Sequence, residues 1–176
     1  MQNKKKAGGK GGGRLARSEI VTVRFNPQLR YLIELAARKQ RRTVSSLIEC
    51  EIEKNLSKMF LKEAGINSAA PVSVEDEKDK LWDTEEADRF AKLAFNYPEL
   101  LNHYEQVLWR LIKENGYVWN ICVDEKTMEY FWDGKEQSLN FKKLQETWER
   151  FQAVAMGDAD KSTLPQWGGL GSLKEK

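Results

Sequence analysis

Residues 18–60 follow a pattern that cannot close on itself. Glu19-Ile20-Val21-Thr22-Val23-Arg24-Phe25 alternates apolar and polar side chains, as a half-buried strand does, and Asn26-Pro27 ends it. A helical period follows in Leu29, Leu32, Ile33 and Ala36, with Arg30, Glu34 and Arg38 on the other side. Gln40-Arg41-Arg42 ends this helix, and a second opens at Thr43-Val44-Ser45-Ser46 with the stripe Val44, Leu47, Ile48, Ile52, Leu56 and Met59. One strand has no neighbour to pair with, and one strand with two short helices is too little to bury a core. The pattern therefore predicts half of a homodimer, with the two strands paired across the dimer axis.

Start signals for both helices are explicit. Asn26 is an N-cap residue with proline at the first helical position, and Thr43 caps the second helix. In the strand, Val21, Val23 and Phe25 must face the helices, leaving Ile20, Thr22 and Arg24 on the outer face.

Charge separates the two halves of the 176-residue chain. Residues 1–62 hold 15 Lys/Arg against 5 Asp/Glu, a net of +10, whereas residues 63–176 hold 14 against 22, a net of −8. A basic half carrying a two-stranded ribbon fits a polyanion, and such a ribbon has the width of a DNA major groove. An acidic half does not, and implies another role.

Residues 19–58, through VTVRFNP, LRYLIELAARKQ and RRTVSSLIE, resemble the ribbon-helix-helix superfamily of dimeric DNA-binding proteins, the MetJ/Arc/CopG type. The resemblance covers about a quarter of the chain. It implies base contacts from Thr22 and Arg24, with Ile20 on the same face. It implies phosphate contacts at the start of the second helix, Thr43, Val44 and Ser45, where free N–H groups and the positive dipole end lie. Lys39, Arg41 and Arg42 cluster beside that start and add phosphate contacts. The Arg41-Arg42 pair departs from the family, many members of which have a glycine in the turn; it requires an unusual turn conformation.

The remaining chain resembles no family. Residues 1–17, rich in glycine and lysine, read as a disordered basic arm along phosphates or as a solubilising tail. Residues 63–80 read as a linker, with Glu75-Asp76-Glu77 solvated. Residues 81–157 read as an acidic, Trp-rich α+β domain in the order helix-helix-strand-strand-helix, and 158–176 as a loose tail. In that domain Asp83 with Glu86 reads as a capping box, Gly116 as a helix-ending residue, Tyr117–Val123 and Thr127–Trp132 as strands, and Leu139–Ala155 as the last helix.

All six tryptophans lie beyond residue 80. Trp109 and Trp148 sit at core spacing, whereas Trp167, in a glycine-rich segment, reads as an interaction anchor. Cys50 and Cys122 read as buried free thiols of a reducing compartment. His103 is the only histidine, so neither a metal centre nor histidine catalysis is expected, and no cofactor motif or enzyme signature is found. No apolar run has transmembrane length and no secretory signal is read, so a cytoplasmic protein is expected, without a membrane partner.

The expected fold class is thus α+β: a dimeric ribbon-helix-helix followed by a small α+β domain. The expected partners are double-stranded DNA and a second copy of the chain, with higher-order assembly on DNA, and a protein partner for residues 81–176. The expected role is a sequence-specific transcriptional regulator such as a repressor. Two alternatives stay open: an accessory DNA-binding protein of plasmid conjugation or partition, and an antitoxin whose C-terminal half binds a toxin.

Overall fold

The computed structural model describes residues 20–63, 70–123, 130–168 and 173–175, and the chain is α+β and divides into two compact units, Met1–Met59 and Phe60–Lys176. The 1–17 arm, Glu19 and the 124–126 turn lie outside the described residues.

The first unit has two helices, α1 (Pro27–Lys39) and α2 (Val44–Leu56). Both caps form as their sequence requires. Asn26 Oδ1 accepts from the Leu29 N–H at 2.8 Å, and Thr43 Oγ1 accepts from the Ser46 N–H at 3.1 Å. Residues 20–25, the described part of the expected 19–25 strand, take no β-ladder here. The described residues of this single chain offer the segment no neighbouring backbone to pair with.

The second unit begins earlier than the sequence pattern indicates. β1 (Phe60–Lys62), at the end of the 18–62 stretch read as ribbon-helix-helix, pairs antiparallel with β2 (Val72–Ser73), inside the 63–80 stretch read as a linker. The acidic cluster there is not merely solvated. Asp76 accepts from the Ser73 N–H at 2.8 Å and from the Ser73 hydroxyl at 2.6 Å, Glu75 pairs with Lys78, and Glu77 pairs with Lys80 at 3.2 Å. A short α3 (Lys78–Leu81) follows. Small residues and charges hid these elements because they are held by local polar bonds rather than by an apolar stripe.

Then come α4 (Glu86–Asn96), α5 (His103–Glu114), β3 (Cys122–Val123), β4 (Tyr130–Trp132), α6 (Phe141–Met156) and β5 (Leu173–Glu175). The order helix-helix-strand-strand-helix is present within this longer series. β3 and β4 are antiparallel, and β5 adds to β4 in parallel. Phe90, Ala91 and Ala94 of α4 pack with Leu108 and Ile112 of α5 and with Leu144 and Phe151 of α6 in one core.

Two buried indoles finish α5. A helix leaves its last carbonyls without intrahelical donors. Trp119 Nε1 donates to Ile112 O at 3.0 Å, and Trp132 Nε1 donates to Lys113 O at 3.1 Å. Each ring thus fills core volume while its N–H satisfies a helix end. Trp109 and Trp148 are buried as expected, Trp109 edge-on to Phe95 at 4.8 Å.

Several boundaries differ from expectation. Asp83 and Glu86 make no capping box: Asp83 is engaged with Lys92 at 2.8 Å and with the Glu85 N–H, and α4 starts only at Glu86. The capping box of this unit is at α5, where Asn102 and Glu105 exchange bonds of 3.0 and 2.8 Å. Gly116 follows the C-cap Asn115 and so holds the expected C′ position, but without a left-handed backbone, and Gly116–Val118 forms a 3-10 turn. Only Cys122–Val123 of the expected 117–123 strand joins the sheet, because Asn115 turns the chain at Tyr117 and Trp119 bridges to Leu139 instead. Cys50 is half-buried and Cys122 exposed, not buried, since each lies at the margin of its apolar pattern. Trp167 is half-buried on the Tyr130 ring, centroids 5.2 Å apart, rather than standing free.

The Asp83–Lys92 pair carries a testable consequence. The Lys92 bond, then the Glu85 N–H, pull the Asp83 carboxyl from the usual 3.8 down to about 2. A carboxyl with a lowered folded-state pKa adds stability above its unfolded value and loses it as pH falls through the folded one. Asp83→Asn is therefore expected to destabilise the chain at pH 7 in urea unfolding, with the gap to wild type closing as pH falls from 3.8 toward 2. A gap that persists at the acid end would contradict this.

Candidate nucleic-acid interface

In the first unit the described residues bury only two apolar side chains, Ala37 and Leu47. Val21 is 80% exposed, Val23 59%, Leu32 53% and Ile52 55%, although all four belong to the stripes that should form a core. The segment from Ile20 to Phe25 flanks two open hollows. One, about 740 Å³, lies between Ile20, Val21, Val23 and Phe25 and the α2 side chains Ile48 and Ile52. The other, about 570 Å³, brings Val23 and Phe25 together with Ile33 and Val44. The alternation read in the sequence is reflected here: Val21, Val23 and Phe25 line the hollows. Ile20 joins them instead of standing apart with Thr22, and Arg24 edges the smaller hollow beside Arg30 and Glu34.

Thr22 and Arg24 are exposed, with no hydrogen bond or ion pair described for either. Arg30, next to Arg24 in the smaller hollow, is engaged with Glu34 at 3.1 Å.

The expected phosphate-contact residues form one continuous exposed stretch from the end of α1 to the start of α2. Lys39 is the last residue of α1, Arg41 and Arg42 make the turn, and Thr43 caps α2. The turn is closed by Arg41 N–H on Arg38 O at 3.1 Å and Arg42 N–H on Ala37 O at 3.0 Å. Val44 and Ser45 occupy the first turn of α2, where N–H groups precede any intrahelical acceptor. The six residues thus combine three side-chain cations with a helix N-terminus. Arg42 also acts on Glu51 of α2, whose carboxyl is held below its usual range first by its bond to Lys54 and more weakly by Arg42.

The unusual turn conformation required of the Arg-Arg pair is present. Arg41 has φ 55°, the only positive φ at a non-glycine residue among those described. This left-handed geometry costs an L side chain about 1–2 kcal/mol. Sequence reasoning missed the extent of the open apolar surface, because periodicity marks which side chains are apolar and not whether one chain can cover them.

Elsewhere the described residues contain no cluster of three or more His, Cys, Asp or Glu placed to hold a metal ion. His103 is exposed at the first position of α5. No described helix is long and apolar enough to cross a membrane.

Arg41 provides a test of the turn. Arg41→Gly removes the left-handed strain but adds about 0.5–1 kcal/mol of backbone freedom to the unfolded chain. The strain is the larger of the two, so the variant is expected to be more stable by up to about 1 kcal/mol, read as a raised urea midpoint with unchanged slope. A lowered midpoint would show that the Arg41 side chain supports the fold.

No protein-family model matches this chain, and nothing among the curated proteins or the solved structures matches it.

Proposed function

We propose that residues 18–59 are a homodimeric ribbon-helix-helix unit that binds double-stranded DNA in a sequence-specific way, and that the protein is a transcriptional regulator. The observation that carries this reading is the uncovered apolar face of the first unit. Val21 and Val23 of the extended segment, which has no backbone neighbour among the described residues, and Ile52 across the hollow from them are each more than half exposed, as is Leu32 of α1. Burial of apolar surface yields about 25 cal/mol per Å², so a face of this kind favours a second copy over water. Pairing two such segments makes a ribbon whose outward positions are Thr22 and Arg24.

The charge arrangement supports the same reading. Lys39, Arg41 and Arg42 flank the N-terminus of α2 in a half of the chain that nets +10. Phosphates bind such a place through side-chain cations and free amides, which sets register without reading sequence. Arginine at Arg24 has the fork geometry to read guanine in the major groove.

The test separates these roles. Duplexes selected by the full-length protein from a random pool provide the specific site, and a scrambled duplex provides the control. Arg24→Ala is expected to weaken binding to the selected site at least tenfold, since each bidentate arginine–guanine contact discriminates by about 1–3 kcal/mol and a dimer makes two, with little loss on the scrambled duplex. Arg42→Ala is expected to weaken both alike and to lower the salt slope by about one phosphate per subunit. Equal losses on both duplexes for Arg24→Ala, or no selection of duplexes at all, would overturn the reading.

A further inference from the structure

Trp119 and Trp132 donate their indole N–H groups to α5 carbonyls, but Trp148 does not follow this rule. Trp148 is only 8% exposed, its Nε1 is sealed from solvent, and it has no acceptor among the described residues. The Tyr104 hydroxyl is in the same condition. Both residues line one cleft of about 220 Å³ formed by α4, α5 and α6 of the second unit. A buried donor without an acceptor keeps its full desolvation cost, and here two residues carrying such donors line the same cleft.

The neighbouring groups narrow what the cleft can take. Phe90, Leu93 and Leu108 supply an apolar wall. The charged groups around it are already engaged. Glu86 accepts from Gln152 Nε2 at 2.9 Å, and Glu105 accepts the Asn102 N–H at 2.8 Å. Arg89 donates to Asp83 O at 2.8 Å and to Thr84 O at 3.2 Å, and stacks 4.9 Å from the Trp82 ring centroid. Two carboxylates against one guanidinium disfavour an anion. Burial, then the Glu86 and Glu105 carboxylates, raise the Tyr104 phenol, which keeps it a hydroxyl donor. What remains is a pair of neutral donors above an apolar floor.

We propose that this cleft binds a small apolar group bearing a neutral carbonyl, as in an amide, whose oxygen accepts from Trp148 Nε1–H and the Tyr104 hydroxyl. The volume is sufficient, since an apolar cavity of about 150 Å³ admits benzene. Because both donors are sealed, the half-buried Leu93, Tyr104 and Gln152 side chains must give way as the ligand seats. The site lies wholly within the second unit and does not depend on DNA binding by the first.

The full-length protein labelled with ¹⁵N-tryptophan tests this. Its six indole signals are few enough to resolve, and Trp148→Phe identifies the one at issue. The probes are N-acetylleucine methylamide and N-acetylleucine, which share an apolar side chain but end in an amide and a carboxylate. The methylamide is expected to move the Trp148 signal downfield, saturably and selectively, and the carboxylate to bind several-fold more weakly. Tyr104→Phe is expected to weaken the methylamide by roughly two- to tenfold, the range of one neutral hydrogen bond. A Trp148 signal that stays put at the solubility limit, that moves no more than the other five, or that responds equally to both probes would overturn the proposal. So would a folded Tyr104→Phe variant that binds the methylamide as well as wild type does. Should that variant lose the wild-type indole pattern, the comparison of the two probes on wild type decides alone.

Discussion

The first unit depends on an apolar face that its own chain leaves in water. Val21 and Val23 on the extended segment and Ile52 on α2 surround a hollow of about 740 Å³ that no other described part of the unit fills. Two capped helices are satisfied locally, yet caps contribute about 1 kcal/mol each and cannot replace a core. Fixing the backbone of each residue costs about 1–2 kcal/mol, and burial of apolar surface is the main term that offsets it. Two buried side chains do not suffice. A second copy laid on this face would cover the hollow and supply the missing backbone partner for residues 20–25 in the same step.

The second unit is built on the opposite principle. It buries one continuous apolar core and uses large aromatics to do so, although Trp82, Leu100 and Met156 stay more than half exposed. Trp119 and Trp132 are placed by polar geometry as well as by volume, since their N–H groups meet the last carbonyls of α5. The Trp148 indole occupies the same core without that satisfaction. A net charge of −8 over residues 63–176 sets this unit apart from the basic one.

Local signals were legible in the sequence and non-local ones were not. Asn26-Pro27 and Thr43 announced their helix starts, and the Arg41-Arg42 turn announced its unusual backbone, because each depends on residues within one turn of chain. Trp109 and Trp148 were legible as core through helical spacing. The β1–β2 pair was not, for it rests on Asp76 reaching Ser73 within a stretch that lacks any apolar period. Asp83 resembled a cap in sequence and became an ion-pair partner because Lys92 lies two turns further along α4. Trp119 left the expected strand because its best backbone neighbour, Leu139, is twenty residues away. Of the interface residues, the cations and the α2 start were read from type and spacing. That one chain cannot cover its apolar stripes was legible in the pattern, whereas which side chains stay open, and how far, follows from the three-dimensional fold.

Sedimentation equilibrium of the full chain beside Val23→Glu tests the central claim, that a second copy covers this face, most directly. Wild type is expected as a species of twice 20.4 kDa at micromolar concentration. Val23→Glu puts a carboxylate into the shared face, so it is expected at the single-chain mass with helical circular dichroism reduced by the loss of α1 and α2. A wild-type protein that sediments as a fully helical single chain, or a Val23→Glu variant that keeps the wild-type mass and helicity, would contradict the account.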